Sequence, residues 1–263
     1  MKHPIIHLAI ALLLVCSFSS CEKVIDLKLD TSSPSIVIQG NVFDHDGPYK
    51  VQISKTVAFT EPNTFPAVTN AKVTIGDNLG NSETLTETSP GTYITAMLKG
   101  KSGVTYTLTV EVEGKTYTAV STMPEPVNID RIYIRKSEIG SDREVAFDFH
   151  DPVGIDNYYR VIEYVNDSLK TGVNVGNDKL YPGKIITFAL GSSSIKKDSV
   201  LQSGDRVKIQ FECIDKGVYE YFRTTRGNSD QSTSPTNPTS NISNGALGYF
   251  SACTVRQDSI IYH

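Results

Sequence analysis

The chain of 263 residues carries 29 acidic against 25 basic side chains, a net charge of −4, with no tryptophan and 13 tyrosines. This mild acidity, without a basic cluster, excludes the electrostatic footprint that a nucleic-acid backbone demands. Abundant Thr, Ser, Val and Ile favour strands over helices.

The first element is a leader. Lys2 supplies a basic start, residues 5–15 an apolar run, and Ser17-Phe18-Ser19-Ser20-Cys21 a small polar stretch, the order of a secretory signal. A run of about a dozen residues is too short for a bilayer core, which needs about 20 in a helix. Residues 1–20 are therefore expected to be removed. Ser19 and Ser20 before Cys21 resemble a lipobox, with Phe18 where Leu is usual. That resemblance implies that Cys21 is the lipid attachment site and first mature residue, joining the protein to a membrane through its acyl chains. Residues 21–34, polar and ending in Thr31-Ser32-Ser33-Pro34, read as a tether.

From Ser35 the pattern has period two. Ile36, Ile38 and Val42 share a face; Tyr49, Val51 and Ile53 alternate with polar neighbours; Val73 and Ile75 do the same. Tyr106, Leu108, Val110 and Val112 oppose Thr105, Thr107, Thr109, Glu111 and Glu113. Such alternation marks half-buried strands. Turn residues separate them, among them Asp46-Gly47-Pro48 and Glu113-Gly114-Lys115, the latter expected to close a hairpin. Residues 35–122 are thus expected to form an immunoglobulin-like or transthyretin-like β-sandwich. Met123-Pro124-Glu125-Pro126 breaks the pattern and places a boundary there.

Residues 127–263 read as a second, larger sandwich. Its strands are announced by Ile132 and Ile134, by Val145, Phe147 and Phe149, by 157–165, by 184–190, and by Val207, Ile209, Phe211 and Cys213, which puts Cys213 inward. Asp215 is placed to cap one short helix, with Val218, Tyr219 and Phe222 on one side. Residues 227–240 read as a long surface loop and 245–255 as a final strand. Without helical crossovers, a parallel sheet is not expected. The fold class is therefore mainly β: two sandwiches behind a leader and tether.

Several blocks together carry a family resemblance: Cys21-Glu22-Lys23-Val24-Ile25-Asp26-Leu27, Ile38-Gln39-Gly40-Asn41-Val42, Ser54-Lys55-Thr56-Val57, Asn157-Tyr158-Tyr159-Arg160, Asn237-Pro238, Ser240-Asn241-Ile242 and Gly245-Ala246-Leu247-Gly248-Tyr249-Phe250-Ser251-Ala252. They resemble the Bacteroidetes lipoprotein family catalogued as domain of unknown function 4249. Asn70 to Ile75, Gly91-Thr92-Tyr93, Gly103 to Leu108 and Gly114 to Tyr117 also resemble carboxypeptidase-regulatory-like sandwiches. The first resemblance implies an outer-membrane, lipid-anchored protein working with a TonB-dependent transporter. It implies no cofactor and no catalytic residue, and leaves open whether the periplasmic or the cell-surface face carries it.

The chemistry on offer is sparse. After the leader the histidines are His45, His150 and His263, and there is no Gly-x-Ser-x-Gly elbow. His150 is expected at a solvated strand end. Asp44, Asp46, Asp148, Asp151 and Asp156 are hard-oxygen donors suited to calcium, but Asp44-His45-Asp46-Gly47 reads more simply as a tight turn. Cys213 and Cys253 either pair or serve as small buried hydrophobes; with no histidine nearby they make a poor zinc site. Tyr158-Tyr159, Tyr219, Tyr221-Phe222 and Tyr249-Phe250 place neighbours on opposite faces, so one of each is either exposed for binding or covered by another sheet or the helix. Loops 58–69 and 227–240 are candidates for partner contact. The expectation is a non-enzymatic envelope protein that binds a partner membrane protein or helps capture a nutrient. The alternative is a surface carbohydrate-binding or adhesive module. A hydrolase would instead need His150 joined to carboxylates in a deep pocket.

Overall fold

The computed structural model describes residues 34–58, 61–62, 64–137, 143–170, 172–180, 182–190, 201–229 and 237–263. The leader, Cys21 and nearly all of the tether lie outside the described residues, as do parts of loops 58–69 and 227–240. In chain order the first half contains β1 (Ile36–Phe43), β2 (Lys50–Lys55), β3 (Lys72–Asp77), β4 (Ser82–Thr84), β5 (Thr86–Ser89), β6 (Thr92–Ile94), β7 (Thr105–Val112) and β8 (Lys115–Thr122). The second contains β9 (Arg131–Lys136), β10 (Arg143–His150), β11 (Tyr158–Val165), β12 (Ser168–Leu169), β13 (Asn174–Asn177), β14 (Ile185–Leu190), β15 (Arg206–Ile214), α1 (Lys216–Ser229) and β16 (Leu247–Ile261).

Among the described residues, three sheets form two sandwiches. A nine-stranded sheet runs β12-β11-β15-β16-β1-β2-β6-β5, with β13 also on β11. Its β16-β1-β2-β6 half faces the four-stranded sheet β4-β3-β7-β8 across a core that includes Ile38, Val51, Tyr93, Leu108, Val110 and Phe250. Its β11-β15 half faces the three-stranded sheet β14-β10-β9 across Phe147, Phe149, Tyr159, Ile209 and Phe211. There the aromatic rings interlock, Phe149 lying 4.7 Å from Phe211 and 4.8 Å from Tyr159. The period-two faces read from the sequence are the faces that these cores bury.

β16 belongs to both sandwiches. Residues 247–253 pair in parallel with β1, from Val37↔Leu247 to Phe43↔Cys253. From Thr254 onward the strand pairs antiparallel with β15, starting at Cys213↔Thr254. A parallel pair was not expected. It needs no helical crossover because β1 and β16 lie at opposite ends of the described chain, so everything between them serves as the connection. Chain order and sheet order also part company here: β16 follows the 122–127 junction in sequence yet completes the sheet of the first half.

The junction itself is pinned on both sides. Met123 is buried in the first core, its N–H donating to the Val104 carbonyl, while Val127 is buried in the second. Arg256 spans the seam, its Nη1 2.7 Å from Asp44 Oδ2 and its Nε 3.1 Å from Asn128 Oδ1. Asp44 also accepts the Val255 N–H at 2.8 Å.

The Gly245–Ala252 block has a steric rationale. Gly248 sits at φ +96°, and a Cβ there would fall 1.9 Å from the Ile38 carbonyl oxygen. Only glycine lets β16 approach β1 so closely. The preceding segment closes the first sandwich. Asn241 accepts the Phe250 N–H and donates to its carbonyl, Ser243 N–H donates to the Thr118 carbonyl, and Ile242 is buried.

Gly248→Ala is expected to cost about 3 kcal/mol or more, since backbone must move to accept the methyl. Gly114, in the β7–β8 turn at φ +72°, has nothing within 4 Å of such a Cβ. Gly114→Ala is expected to cost only about 1 kcal/mol, from backbone strain alone. Urea unfolding of the two variants checks the ordering.

Candidate functional site

Helix α1 covers part of the outer face of the large sheet. Asp215 caps it as expected, Oδ1 accepting the Val218 N–H at 2.9 Å. The helix spans 14 residues, so it is longer than expected and takes Gly227 to Ser229 from the anticipated loop. Val218, Tyr219 and Phe222 pack downward with Tyr158, Ile214 and Cys253. A relay ties helix to sheet: Ala252 N–H donates to Ser121 Oγ at 2.8 Å, and Ser121 Oγ–H donates to Asp215 Oδ2. Burial raises the Asp215 carboxyl above the usual carboxylate range, against the hydrogen bonds from Ser121, Val218 and Gly217.

Tyr158 and Tyr159 are both covered rather than displayed. Tyr159 is buried in the second core, its hydroxyl donating to Asp151, and burial together with that carboxylate raises its pKa. Tyr158 points the other way and meets Tyr219 of α1 at 5.0 Å. Arg160, next along β11, bonds Glu212 at 3.0 Å and places its guanidinium 4.0 Å above the Phe222 ring. Sequence period alone says which face a tyrosine takes, but not that a helix lies over that face.

Beyond the helix the same outer face is open. Register aligns Tyr249, Gln39 and Gln52 in one row across β16, β1 and β2. With Asn41 and Phe43 they line a cleft of about 310 Å³, rimmed by Pro48, Tyr49 and Lys50. The Tyr249 ring is held against α1, 5.0 Å from Tyr221 and 4.8 Å from Phe222. Burial raises both phenols, partly offset by the Arg160 guanidinium and by the amides of Asn41 near Tyr249 and Gln39 near Tyr221. Of these residues the sequence drew attention to Tyr249 through its aromatic pair. Gln39 and Asn41 stood out only as part of the family-resembling Ile38–Val42 block and Gln52 not at all, because the amides join Tyr249 only when three strands come into register.

A second feature joins two loops beside β11. Val153 and Ile155 lie between β10 and β11, and Leu180 between β13 and β14; they are 84, 55 and 82% exposed. Ile185, opening β14, is 61% exposed. The base is rigid: Asp151, buried, accepts the Tyr159 hydroxyl and the Gly183 N–H, and the Asp151 N–H donates to the Lys184 carbonyl. The Asp178 N–H donates to the Asn157 carbonyl.

The other sequence candidates are engaged elsewhere. Asp44 serves the seam, while Asp46 meets Lys99 at 3.2 Å on the surface. Asp148 receives Arg131, Tyr133 and Thr187, which offset its burial and lower its pKa. His150 is exposed and lies 2.6 Å from Asp130. Cys213 faces the second core and Cys253 the opposite face under α1; both are buried and free. Cys213 sits opposite Thr254, so the adjacent Cys253 points the other way and the two cannot join. Burial raises both thiols, which suits small core residues rather than reactive ones. Among the described residues, no group of three or more His, Cys, Asp or Glu is placed to hold a metal, and no helix is long and apolar enough to cross a membrane.

Among the described residues these features define a mainly β protein of sandwich architecture with a single surface helix. The chain belongs to the family described as Domain of unknown function (DUF4249), whose model matches residues 22–259. No curated protein matches it. Among solved structures it is similar to a two-domain fibronectin type III segment of chicken tenascin, at 13% identity and TM-score 0.21, covering 69% of this chain and 91% of that one. It is also similar to the first three fibronectin domains of chicken CNTN1, at 12% identity and TM-score 0.25, covering 88% and 67%.

Asp215→Ala is expected to lose the cap and about 1–2 kcal/mol. Because the folded carboxyl holds its proton above the ordinary value of 3.8, its stabilising contribution is present at low pH and declines as pH rises through the folded pKa. Asp215→Asn retains a capping oxygen and is expected to flatten that decline, as read from urea midpoints across acidic to neutral pH.

Proposed function

We propose that the protein is a lipid-anchored, non-enzymatic accessory protein of the cell envelope. It sits at the outer membrane through Cys21 and binds a partner membrane protein, a TonB-dependent transporter, in nutrient capture. The observation that carries the binding role is the apolar loop pair. Val153, Ile155, Leu180 and Ile185 stand exposed on a base braced by the buried Asp151. Isolated surface hydrophobes are ordinary, but several on neighbouring loops over a rigid base suit a protein partner. Of the carboxylates that the sequence nominated for chemistry, Asp44, Asp148 and Asp151 are engaged in ion pairs and hydrogen bonds that brace the fold, which supports binding over catalysis. The lipobox-like Ser19-Ser20-Cys21 supports the anchor.

Copurification from solubilised outer membranes tests the role. The full chain is expected to retain a transporter, and Val153→Asp with Leu180→Asp to reduce its recovery roughly tenfold while leaving folding intact. Failure of any membrane protein to copurify reproducibly would refute the partner. Cys21→Ala is expected to abolish acylation and release the protein from the membrane fraction; retention in that fraction would refute the anchor.

A further inference from the structure

We propose that the cleft over β1 and β2 binds an oligosaccharide. This deepens the nutrient-capture part of the reading above and rests on it, while using a surface distinct from the apolar loops.

The lining sets the ligand class. Gln39, Asn41 and Gln52 present three side-chain amides, each offering both donors and an acceptor. Adjacent strands lie about 4.8 Å apart, so the row from Tyr249 through Gln39 to Gln52 repeats polar groups at that interval. Sugar hydroxyls also donate and accept, and recur along a saccharide chain. Tyr249 adds an aromatic wall for the C–H face of a sugar ring, and its contacts with Tyr221 and Phe222 fix that wall in advance. An uncharged ligand is favoured because the lining holds no carboxylate and a single ammonium, Lys50.

Other ligand classes fit less well. A peptide bound by strand addition requires a free sheet edge. β1 lies between β16 and β2, and β2 between β1 and β6, so both backbones are engaged and only side chains face the cleft. An anion would draw on Lys50 alone. The volume, about 310 Å³, stands at the lower end of ligand pockets. It suits a short saccharide segment continuing into solvent over the exposed Gln39 and Gln52.

The test is a panel of neutral and uronate-containing oligosaccharides offered to the full chain in detergent, followed by titration calorimetry of any that bind. The expected result is binding of a neutral oligosaccharide. Gln39→Ala with Gln52→Ala should weaken it about tenfold or more, with an unchanged thermal midpoint because both side chains are exposed. Tyr249→Phe keeps the ring and should bind nearly as the parent does. Absence of binding across the panel by folded protein, or binding indifferent to the paired Gln changes, would overturn the proposal. Selective capture of uronate chains lost on Lys50→Ala would overturn its neutral character. Transporter copurification separates the two readings: if the Gln39→Ala, Gln52→Ala protein still retains its partner, the partner reading stands whatever happens at the cleft.

Discussion

Everything in this molecule depends on one strand satisfying two partners. β16 is held in parallel by β1 and then antiparallel by β15, and the exchange occurs between Cys253 and Thr254. Its alternation must serve both cores in succession: Phe250 and Ala252 fill the first, Ile260 packs on the second, and Tyr249 and Cys253 face the helix. A slip of one residue would reverse every one of those assignments. Gly248 guards the register from one end, by its close approach to Ile38, and Arg256 from the other, through Asp44 and Asn128.

Fusing two sandwiches through a common sheet has a functional consequence. Independent sandwiches joined by a linker move relative to each other by default. Here the link is a ladder of backbone hydrogen bonds, with Met123 and Val127 buried on either side of the proline-containing junction. The outer face of the large sheet therefore crosses the junction unbroken. Helix α1 occupies one part of it, and the amide-lined cleft lies on the next strands. Surfaces held on such a frame are preorganised, so binding spends little on ordering them.

Buried polar groups do similar work at the loops. Tyr49, Tyr93 and Tyr106 point into the first core, yet their hydroxyls reach backbone groups, accepting from Gly100, Ala71 and Lys101 respectively. Each ring contributes apolar area while its oxygen anchors a loop. Asp151 does the same for the apolar loop pair, and Glu83 gathers the N–H groups of Ala96, Met97 and Leu98. The high tyrosine content reflects this internal stapling more than surface display.

The short strands β4, β5, β6, β12 and β13 carry too few residues for a readable period, but the sequence by itself determined the longer strands, their inward faces, the hairpin turn at Glu113-Gly114 and the Asp215 cap. These are local: a strand's faces follow from a period of two, a cap from one side chain near its own helix. It also carried the whole-chain family resemblance, including the Gly245–Ala252 block. Only the tertiary structure decided that β1 lies in parallel against β16, that α1 covers Tyr158 and packs beside Tyr249, that Cys213 and Cys253 face apart, and that Gln39, Gln52 and Tyr249 share a row. Each of those joins residues distant in the chain. Pairing partners are chosen by the packing of whole faces, and no local pattern in a single strand encodes which strand lies beside it.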